Sequence, residues 1–301
     1  MNKTIQSVLW IGLAEILFNL SSYVVHFGTG RILGPDAYGR LSVVTTLTVM
    51  VIVLIGRGVP SAMTKLVSGY ETADGDMVRK VKKDAAFLQI CIILVVTAIF
   101  FFLAPLLAHF LNDPSLTYLF RLSSLTIPAF AAAAFHVAFF AGLQRFGIQA
   151  VLKIVRAVSR TVIIVGFSVL WNVEGAVIGY IIVPLVVFFV AVLYNLFVVE
   201  KTLAPSATPH ATTPSFIKEL LTFAWPMTLF FVFYELFSTI DLYVVKSITT
   251  DDYLSGIYNA AITLSRGPYY LFFAFSIILF PVIAKKVAQK KFHEQKFITE
   301  T

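Results

Sequence analysis

Residues 30–71 read GRILGPDAYGRLSVVTTLTVMVIVLIGRGVPSAMTKLVSGYE, which combines a turn signal with a long hydrophobic run. Gly34 and Pro35 are expected to end one helix, and Asp36 can cap the start of the next. The run from 41 to 55 then contains no charged residue. A tight turn followed by such a run is typical of hydrophobic helices that enter a bilayer. The stretch therefore predicts a helical hairpin within a membrane.

The composition of the whole chain supports a membrane fold. Hydrophobic residues make up 58% of the 301 residues, charged residues make up 13%, and the mean hydropathy is +0.88. A soluble domain needs more polar surface than this. We predict an all-α polytopic membrane protein with about eight transmembrane helices, at residues 8–30, 41–55, 85–107, 119–143, 148–171, 176–198, 216–245 and 253–284. Barrel strands are a poor alternative because the segments lack apolar–polar alternation.

The basic residues predict how the helices are oriented. Of the 23 lysines and arginines, most fall on the side that carries both chain ends. Because loops on the cytoplasmic side are enriched in Lys and Arg, both termini are expected to be cytoplasmic and the protein to lie in the cell (plasma) membrane. The net charge of +7 is then explained by a basic rim close to anionic lipid headgroups, and no nucleic-acid partner is needed.

Two turns of the chain resemble each other. The first reads RILGPDAYGRLSVVTTL at residues 31–47, and the second reads KSITTDDYLSGIYNAAITL at residues 246–264. Tyr38 aligns with Tyr253, and Gly39 aligns with Gly256 after a two-residue insertion. This similarity predicts a duplicated six-helix unit, as in many transporters.

A stretch rich in Pro, Thr and Ala, LAPSATPHATTP at residues 203–214, resembles a linker between the two units. We predict a six-helix N-terminal lobe at residues 1–200, a cytoplasmic Pro/Thr linker at 201–215, and the first two helices of an incomplete C-terminal lobe at 216–301. This division leaves open a truncated product, an incomplete gene or half of an assembly.

Residues 30–71, together with GIYNAAITLSRGPYYLFFAFSIILFPVIAKKV at residues 256–287, resemble the polysaccharide-transport (oligosaccharide flippase) branch of the multidrug/oligosaccharidyl-lipid/polysaccharide (MOP) flippase superfamily. The resemblance rests on the order and spacing of the motifs. It implies two six-helix lobes arranged as a V around a central cavity. It also implies a transporter that flips a polyprenyl-pyrophosphate-linked oligosaccharide from the cytoplasmic to the outer leaflet for cell-surface polysaccharide synthesis. The expected partners are membrane lipids, the lipid-linked oligosaccharide, and a polysaccharide polymerase or glycosyltransferases.

Three other functions stay open from the sequence. One is a cation-coupled multidrug exporter, and another is a flippase for lipid-linked peptidoglycan precursors. The latter fits less well because residues 8–30 contain no Lys or Arg. The third is a non-transporting scaffold of a polysaccharide assembly complex. The sequence has no nucleotide-binding glycine loop and no Cys/His cluster, so we expect neither an enzyme nor a bound cofactor or metal.

Three basic residues form a stripe on the cytoplasmic half of the fifth predicted helix. Lys153, Arg156 and Arg160 are spaced three and four residues apart, so they share one helix face. They can dock a pyrophosphate that enters from the cytoplasm, because Arg offers bidentate contacts to phosphate. The alternative is that the side chains snorkel to the headgroups.

Asp241 and Arg266 are predicted to lie inside the last two helices. A charge at mid-bilayer costs about 2.5–3.5 kcal/mol, so each of these side chains needs a partner or a water-filled cavity. Asp241 is predicted to be a cavity carboxylate that couples transport to a cation or pairs with Arg266, or else to make a structural contact between helices. Arg266 is the candidate for contacting a phosphate.

Glu15, Glu235 and His136 are further candidates for coupling or for lining the cavity. Glu15 and Glu235 each lie in the first helix of a predicted lobe, where they can face each other. The alternative for both is a polar position packed between helices. His26 is expected to make a hydrogen bond to a neighbour, and Arg121 to snorkel at the outer end of the fourth helix.

Overall fold

The computed structural model describes residues 3–70, 74–203 and 215–268, apart from the side chains of residues 3–9, 11 and 54. The regular structure in these ranges is helical and contains no strand. The helices are α1 (Lys3–Gly56), α2 (Gly58–Tyr70), α3 (Gly75–Phe110), α4 (Leu116–Ser123), α5 (Thr126–Gly142), α6 (Phe146–Tyr194), α7 (Glu200–Thr202), α8 (Ile217–Thr249) and α9 (residues 252–268). Most of the predicted linker and the second half of the eighth predicted helix lie outside the described residues.

Helix α1 is a hairpin that reverses at Gly34. This glycine has φ 75° and ψ 171°, a conformation that a residue without Cβ adopts at little cost. The Nδ1 atom of His26 lies 2.9 Å from the hydroxyl of Tyr38. In a continuous helix these residues would be about 18 Å apart. The predicted turn is therefore confirmed, and we call the two limbs α1a (residues 3–33) and α1b (residues 35–56).

Helix α6 reverses in the same way at Trp171 and Asn172. Asn172 has φ 50° and ψ −133°, which are close to the angles of the first central residue of a type II′ turn, a position dominated by Gly, Asn and Asp. A Cβ atom placed on Gly179 would lie 2.8 Å from the Cα of Ile164, so the two limbs touch closely. We call them α6a (residues 146–170) and α6b (residues 173–194). A π-helical turn, Asn195–Val199, follows the second limb.

Five segments of the described chain are long and apolar enough to cross a membrane: Gly12–Tyr70, Gly75–Phe110, Leu116–Gly142, Phe146–Thr202 and Ile217–Thr249. The first and fourth contain the reversals just described. Large apolar side chains also point outward, with Phe102 76% and Phe237 79% exposed, as expected for surfaces that contact lipid. The chain is thus an all-α polytopic membrane protein, and the number of about eight crossings stays a prediction.

Two of the predicted spans differ in extent from the observed helices. The predicted helix at residues 41–55 is longer than expected, because α1b begins at residue 35 and α2 continues it after a bend at Arg57. The predicted helix at residues 119–143 is divided into α4 and α5 by a break at Ser124 and Leu125.

The turns near residues 34, 112, 172 and 250 lie at one end of the molecule, which we call the outer end. Asn112 donates to the carbonyl of Ser247, and Arg40 contacts Asp252, so three of these turns are in direct contact. At the inner end, Glu200 accepts from Lys82 at 3.1 Å, which ties α3 to α7.

Helices α1b and α9 cross with their backbones in contact. A Cβ atom on Gly39 would lie 3.0 Å from the backbone nitrogen of Gly256, and one on Gly256 would lie 3.1 Å from that of Gly39. These are the two glycines that align in the similar turns. The duplication itself stays a prediction.

Candidate functional site

The basic stripe on α6a reaches the middle of a membrane-spanning limb. With a rise of about 1.5 Å per residue, Arg160 lies about 21 Å from the start of α6 at Phe146 and about 15 Å from the end of α6a. Its side chain is half-buried. This depth favours a site inside the protein over snorkelling for Arg160.

Helix α1a covers the stripe. Lys153 forms an ion pair with Glu15, and the guanidinium of Arg156 lies 5.1 Å from the ring centre of Phe18. Arg160 is 4.9 Å from the same ring, and its Nη2 lies 3.3 Å from the Oγ of Ser22. The structure thus brings the three basic residues together with Glu15, which the sequence had placed opposite Glu235. Cation–π contacts of this kind help to hold a charge in an apolar environment.

Arg266 approaches the same region from α9. It lies about 21 Å from the start of α9 at residue 252, at the outer end, whereas Arg160 lies about 15 Å from the outer end of α6a, so the two differ by about 6 Å in depth. The Nη2 atom of Arg266 donates to the carbonyl of Ser238 at 3.0 Å. Arg160 contacts Ser22 of α1a, and a Cβ atom on Gly267, the residue after Arg266, would lie 3.3 Å from the hydroxyl of Tyr23 on the same limb. The two arginines therefore belong to segments of different helices that pack against neighbouring residues of α1a.

A cavity of about 670 Å³ lies between α1 and α9, and His26 lines it. His26 and Tyr38 supply polar atoms to its wall, and Phe27, Ile257 and Leu264 supply apolar ones. The cavity is a concave, mostly apolar site with a few polar groups, which is the usual character of a small-molecule site.

Asp241 and Glu235 lie outside this arrangement. The carboxylate of Asp241 accepts from the hydroxyl of Tyr258 at 3.1 Å, which links α8 to α9. No ion pair joins Asp241 to Arg266, although the structure describes both residues. Of the two roles considered for Asp241, the contact with Tyr258 corresponds to a structural contact between helices. Glu235 is half-buried, and its carboxylate makes no hydrogen bond or ion pair to another described residue.

His136 packs in an aromatic cluster on α5. Its Nδ1 lies 3.0 Å from the carbonyl oxygen of Ala132, and its ring meets those of Phe135, Phe140 and Phe188 edge-on. None of these residues takes part in the contacts of Arg160 or Arg266 described above. The contacts of His136 are thus aromatic, and its role in coupling or in lining a cavity stays a prediction.

The sequence did not identify Tyr38 and Asn259 as parts of the site. Tyr38 contacts His26, and the Nδ2 of Asn259 lies 3.0 Å from the Tyr38 hydroxyl. Asn259 is 8% exposed within a mostly apolar helix. An amide in the run GIYNAAITL was the available signal, because a buried polar group needs partners.

A second charged group, missed as well, lies at the outer end. Lys246 is 1% exposed and sits 3.1 Å from Asp113 and 2.5 Å from Asp252. Asp252 also accepts from the Nε of Arg40 at 2.6 Å. Burial alone would raise the pKa of Asp113, but hydrogen bonds from Ser115 and Lys246 outweigh it and hold this pKa below its ordinary value. We call Arg40, Asp113, Lys246 and Asp252 the outer ion cluster.

Comparison with known proteins identifies the family. A family model described as "Polysaccharide biosynthesis protein" matches residues 4–287. An uncharacterized membrane protein of Methanocaldococcus jannaschii is 24% identical over 288 residues, which cover 92% of this chain and 67% of the relative.

Solved structures of transporters share the fold. An outward-facing multidrug resistance MATE family transporter of the MOP superfamily aligns with a TM-score of 0.63 at 13% identity, over 90% of this chain and 62% of its own. A MOP superfamily transporter from Pyrococcus furiosus aligns with a TM-score of 0.56 at 13% identity, over 92% of this chain and 70% of its own. The chain spans about two thirds of the length of these relatives.

The match of the family model extends over nearly the whole chain, so the resemblance found in the sequence is confirmed. At 13% sequence identity, the similarity to the solved structures establishes the fold and nothing further. The chain therefore belongs to the polysaccharide biosynthesis protein family and has the fold of MOP superfamily transporters.

Proposed function

We propose that the chain is a membrane transporter that flips a polyprenyl-pyrophosphate-linked oligosaccharide from the cytoplasmic to the outer leaflet for cell-surface polysaccharide synthesis. The observation that carries the proposal is that Arg160 of α6a contacts Ser22 of α1a while Gly267, next to Arg266 of α9, packs against Tyr23 of the same limb. The family description and the transporter fold support it.

The chemistry of the two arginines suits a diphosphate. A guanidinium presents several N–H donors in one plane, which match the oxygens of a phosphate. A charge at mid-membrane costs about 2.5–3.5 kcal/mol, so a pair of cations there is favoured only when something compensates it. No carboxylate of the described residues lies within ion-pair distance of Arg266. A bound diphosphate would supply a negative charge beside Arg266.

The remaining stripe suggests a route to this site. Lys153 and Arg156 lie on the same face of α6a as Arg160, one to two turns nearer the inner end. An anionic headgroup that enters from the cytoplasmic leaflet can therefore contact Lys153 first, then Arg156 and then Arg160 as it moves towards the outer end. Its lipid tail stays in the bilayer throughout. An ion gradient or the membrane potential would drive the movement, since one charge is worth about 2.3 kcal/mol per 100 mV.

The proposed setting is the plasma membrane, with both termini in the cytoplasm. The distribution of the basic residues supports this orientation. A polysaccharide polymerase or glycosyltransferases are the proposed partners, since they would supply or use the lipid-linked sugar. We propose no catalytic role for the chain.

The test is leaflet translocation of a fluorescent polyprenyl-pyrophosphate sugar in proteoliposomes. Arg160→Gln and Arg266→Gln should each slow translocation about tenfold or more, because a hydrogen bond to a charged group is worth about 1.5–3 kcal/mol. The matched control is Arg121→Gln on α4, where the guanidinium lies exposed, 5.3 Å from the ring centre of Phe101. This variant should match the wild type.

Two results would refute the proposal. One is the absence of translocation by folded wild-type protein under either an ion gradient or a potential. The other is an equal rate in all three arginine variants.

A cation-coupled multidrug exporter is the second candidate. The half-buried carboxylate of Glu235, which has no partner among the described residues, favours it. Efflux of a cationic dye that requires Glu235, without translocation of the lipid-linked sugar, would favour this function over the first.

A further inference from the structure

A second cavity lies at the outer end of the molecule, beyond the end of α6a. It forms where the turn before α4 meets the reversal of α6, and its volume is about 520 Å³. Sites that bind a small molecule usually measure about 300–1,000 Å³, so this cavity has the size for a short ligand. The side chains that line it combine aromatic rings with polar groups, namely Tyr118, Trp171, Arg40, Ser115, Asn172 and Glu174. We call it the outer cavity.

Trp171 is held in position at the edge of this cavity. Its ring meets the ring of Phe167 edge-on, with the ring centres 5.1 Å apart. A Cβ atom on Gly175 would lie 3.0 Å from the Cβ of Trp171, so the first turn of α6b packs against the reversal. Trp171 is nevertheless 54% exposed, and Tyr118 of α4 is 57% exposed. Two aromatic side chains from different elements are therefore available to a ligand of one cavity.

The polar side chains of the outer cavity have bonding capacity to spare. Those of Tyr118, Asn172 and Glu174 make no hydrogen bond or ion pair to another residue that the structure describes. Arg40 donates from its Nε to Asp252 at 2.6 Å, and its two Nη groups make no hydrogen bond to a described residue. The cavity thus offers hydroxyl, amide, carboxylate and guanidinium groups, which include both donors and acceptors.

This combination of groups suits a saccharide. A pyranose ring has an apolar face of C–H groups and a rim of hydroxyls, each of which can donate and accept. Aromatic rings cover such C–H faces, while amide and carboxylate groups bind the hydroxyls. The phosphate of a lipid headgroup fits less well, because Glu174 would repel it and Arg40 is already paired with Asp252.

Exposed tryptophan and tyrosine residues also serve membrane proteins as anchors at the bilayer surface. Trp225 on α8 has the surroundings expected for such an anchor, since it is 67% exposed and the described residues that line its cavity carry no charge. Trp171 differs because its cavity also contains Arg40, Asn172 and Glu174. The two tryptophans can therefore be compared in one experiment.

We propose that the outer cavity is a saccharide-binding site, in which Trp171 and Tyr118 stack on sugar rings and Asn172 and Glu174 bind their hydroxyls. This inference rests on the proposed function, because the sugar is the part of the lipid-linked substrate that has to arrive at the outer end. It adds a second binding site to the basic stripe, and this second site recognises the sugar and not the diphosphate.

Tryptophan fluorescence with a free oligosaccharide, released from the lipid-linked sugar of the translocation assay, tests the inference. The Trp171 reporter is the purified full chain with Trp10→Phe and Trp225→Phe, so that Trp171 is its one remaining tryptophan. Millimolar sugar should change the emission of this reporter in a saturable way, because a stacked sugar ring displaces water from the indole. The matched control carries Trp10→Phe and Trp171→Phe, and the emission of its Trp225 should not change.

A carboxylate variant tests the polar part of the site. Glu174→Gln in the Trp171 reporter should weaken sugar binding about tenfold, because a neutral amide makes weaker hydrogen bonds to hydroxyls than a carboxylate does. Glu174 is exposed, so this change should leave the fold intact. The matched control is Glu219→Gln, an equally exposed position in the first turn of α8 at the inner end. It should bind the sugar as the Trp171 reporter does.

The outcomes separate this inference from the proposed function. Unchanged Trp171 emission in folded protein that translocates the lipid-linked sugar would overturn the saccharide site and leave the proposed function standing. A saturable Trp171 response without translocation would support the site and count against the flippase. Equal responses from Trp171 and Trp225, or equal affinity of Glu174→Gln and the Trp171 reporter, would also overturn the site.

Discussion

Replacing Lys246 by methionine should destabilise the protein by about 3 kcal/mol. Removal of one partner from a buried ion pair costs about 3–5 kcal/mol, because the opposite charge stays buried without compensation. Lys246 is 1% exposed and contacts two carboxylates, those of Asp113 and Asp252. Each carboxylate keeps one other partner, since Ser115 donates to Asp113 at 2.6 Å and Arg40 to Asp252 at 2.6 Å. We therefore expect the lower end of the range.

Reversible unfolding in mixed micelles, followed by circular dichroism, would measure this loss. Lys65→Met is the matched control, because Lys65 is exposed and its ammonium lies 4.4 Å from the ring centre of Phe223. It should cost less than about 1 kcal/mol. Adding Asp113→Asn to Lys246→Met should restore part of the stability, since it removes an uncompensated charge. A loss below about 1 kcal/mol for Lys246→Met would refute the reasoning that this pair is buried and coupled.

Three further predictions concern the pH dependence of stability, the contact between the α6 limbs and the ion pair of Glu15 with Lys153. The pKa of Asp113 is lowered in the folded protein, so its contribution to stability is complete above the ordinary Asp value of about 4 and is lost as the pH falls through the folded pKa. Acid unfolding of Asp113→Asn should accordingly show a weaker pH dependence than that of the wild type. Gly179→Val should cost about 1–3 kcal/mol by overpacking the contact with Ile164, measured by the same unfolding assay, and an unchanged stability would contradict the close approach of the α6 limbs. Glu15→Gln and Lys153→Gln should show a coupling of about 1 kcal/mol or more in a double-mutant cycle, whereas additive losses would mean that the ion pair contributes nothing.

The fold could be predicted where local chemistry decides it. Gly34 and Pro35 cannot continue a helix, so the first reversal was visible in the sequence. The second reversal falls between two predicted hydrophobic segments, at Trp171 and Asn172. The break between α4 and α5 was not predicted, although Ser123 and Ser124 at the break and Pro128 in the first turn of α5 are residues that favour a helix boundary.

The site could be predicted only in part. The shared face of Lys153, Arg156 and Arg160 follows from helical periodicity alone. The contact of Lys153 with Glu15 depends on how α1a and α6a align, and the pattern of one chain segment does not determine that alignment. The same holds for His26, whose partner Tyr38 lies on the other limb of the hairpin. Polar contacts between distant segments become visible only once the limbs are assembled.

The touching backbones of Gly39 and Gly256 have a consequence for the evolution of the chain. Any side chain at either position would meet backbone atoms of the other helix, and backbone cannot turn aside as a flexible side chain can. A mutation at one site that moved the helices apart would therefore relax the constraint on the other. In homologous sequences, positions 39 and 256 should therefore either both be glycine or both vary, although more than two hundred positions separate them along the chain.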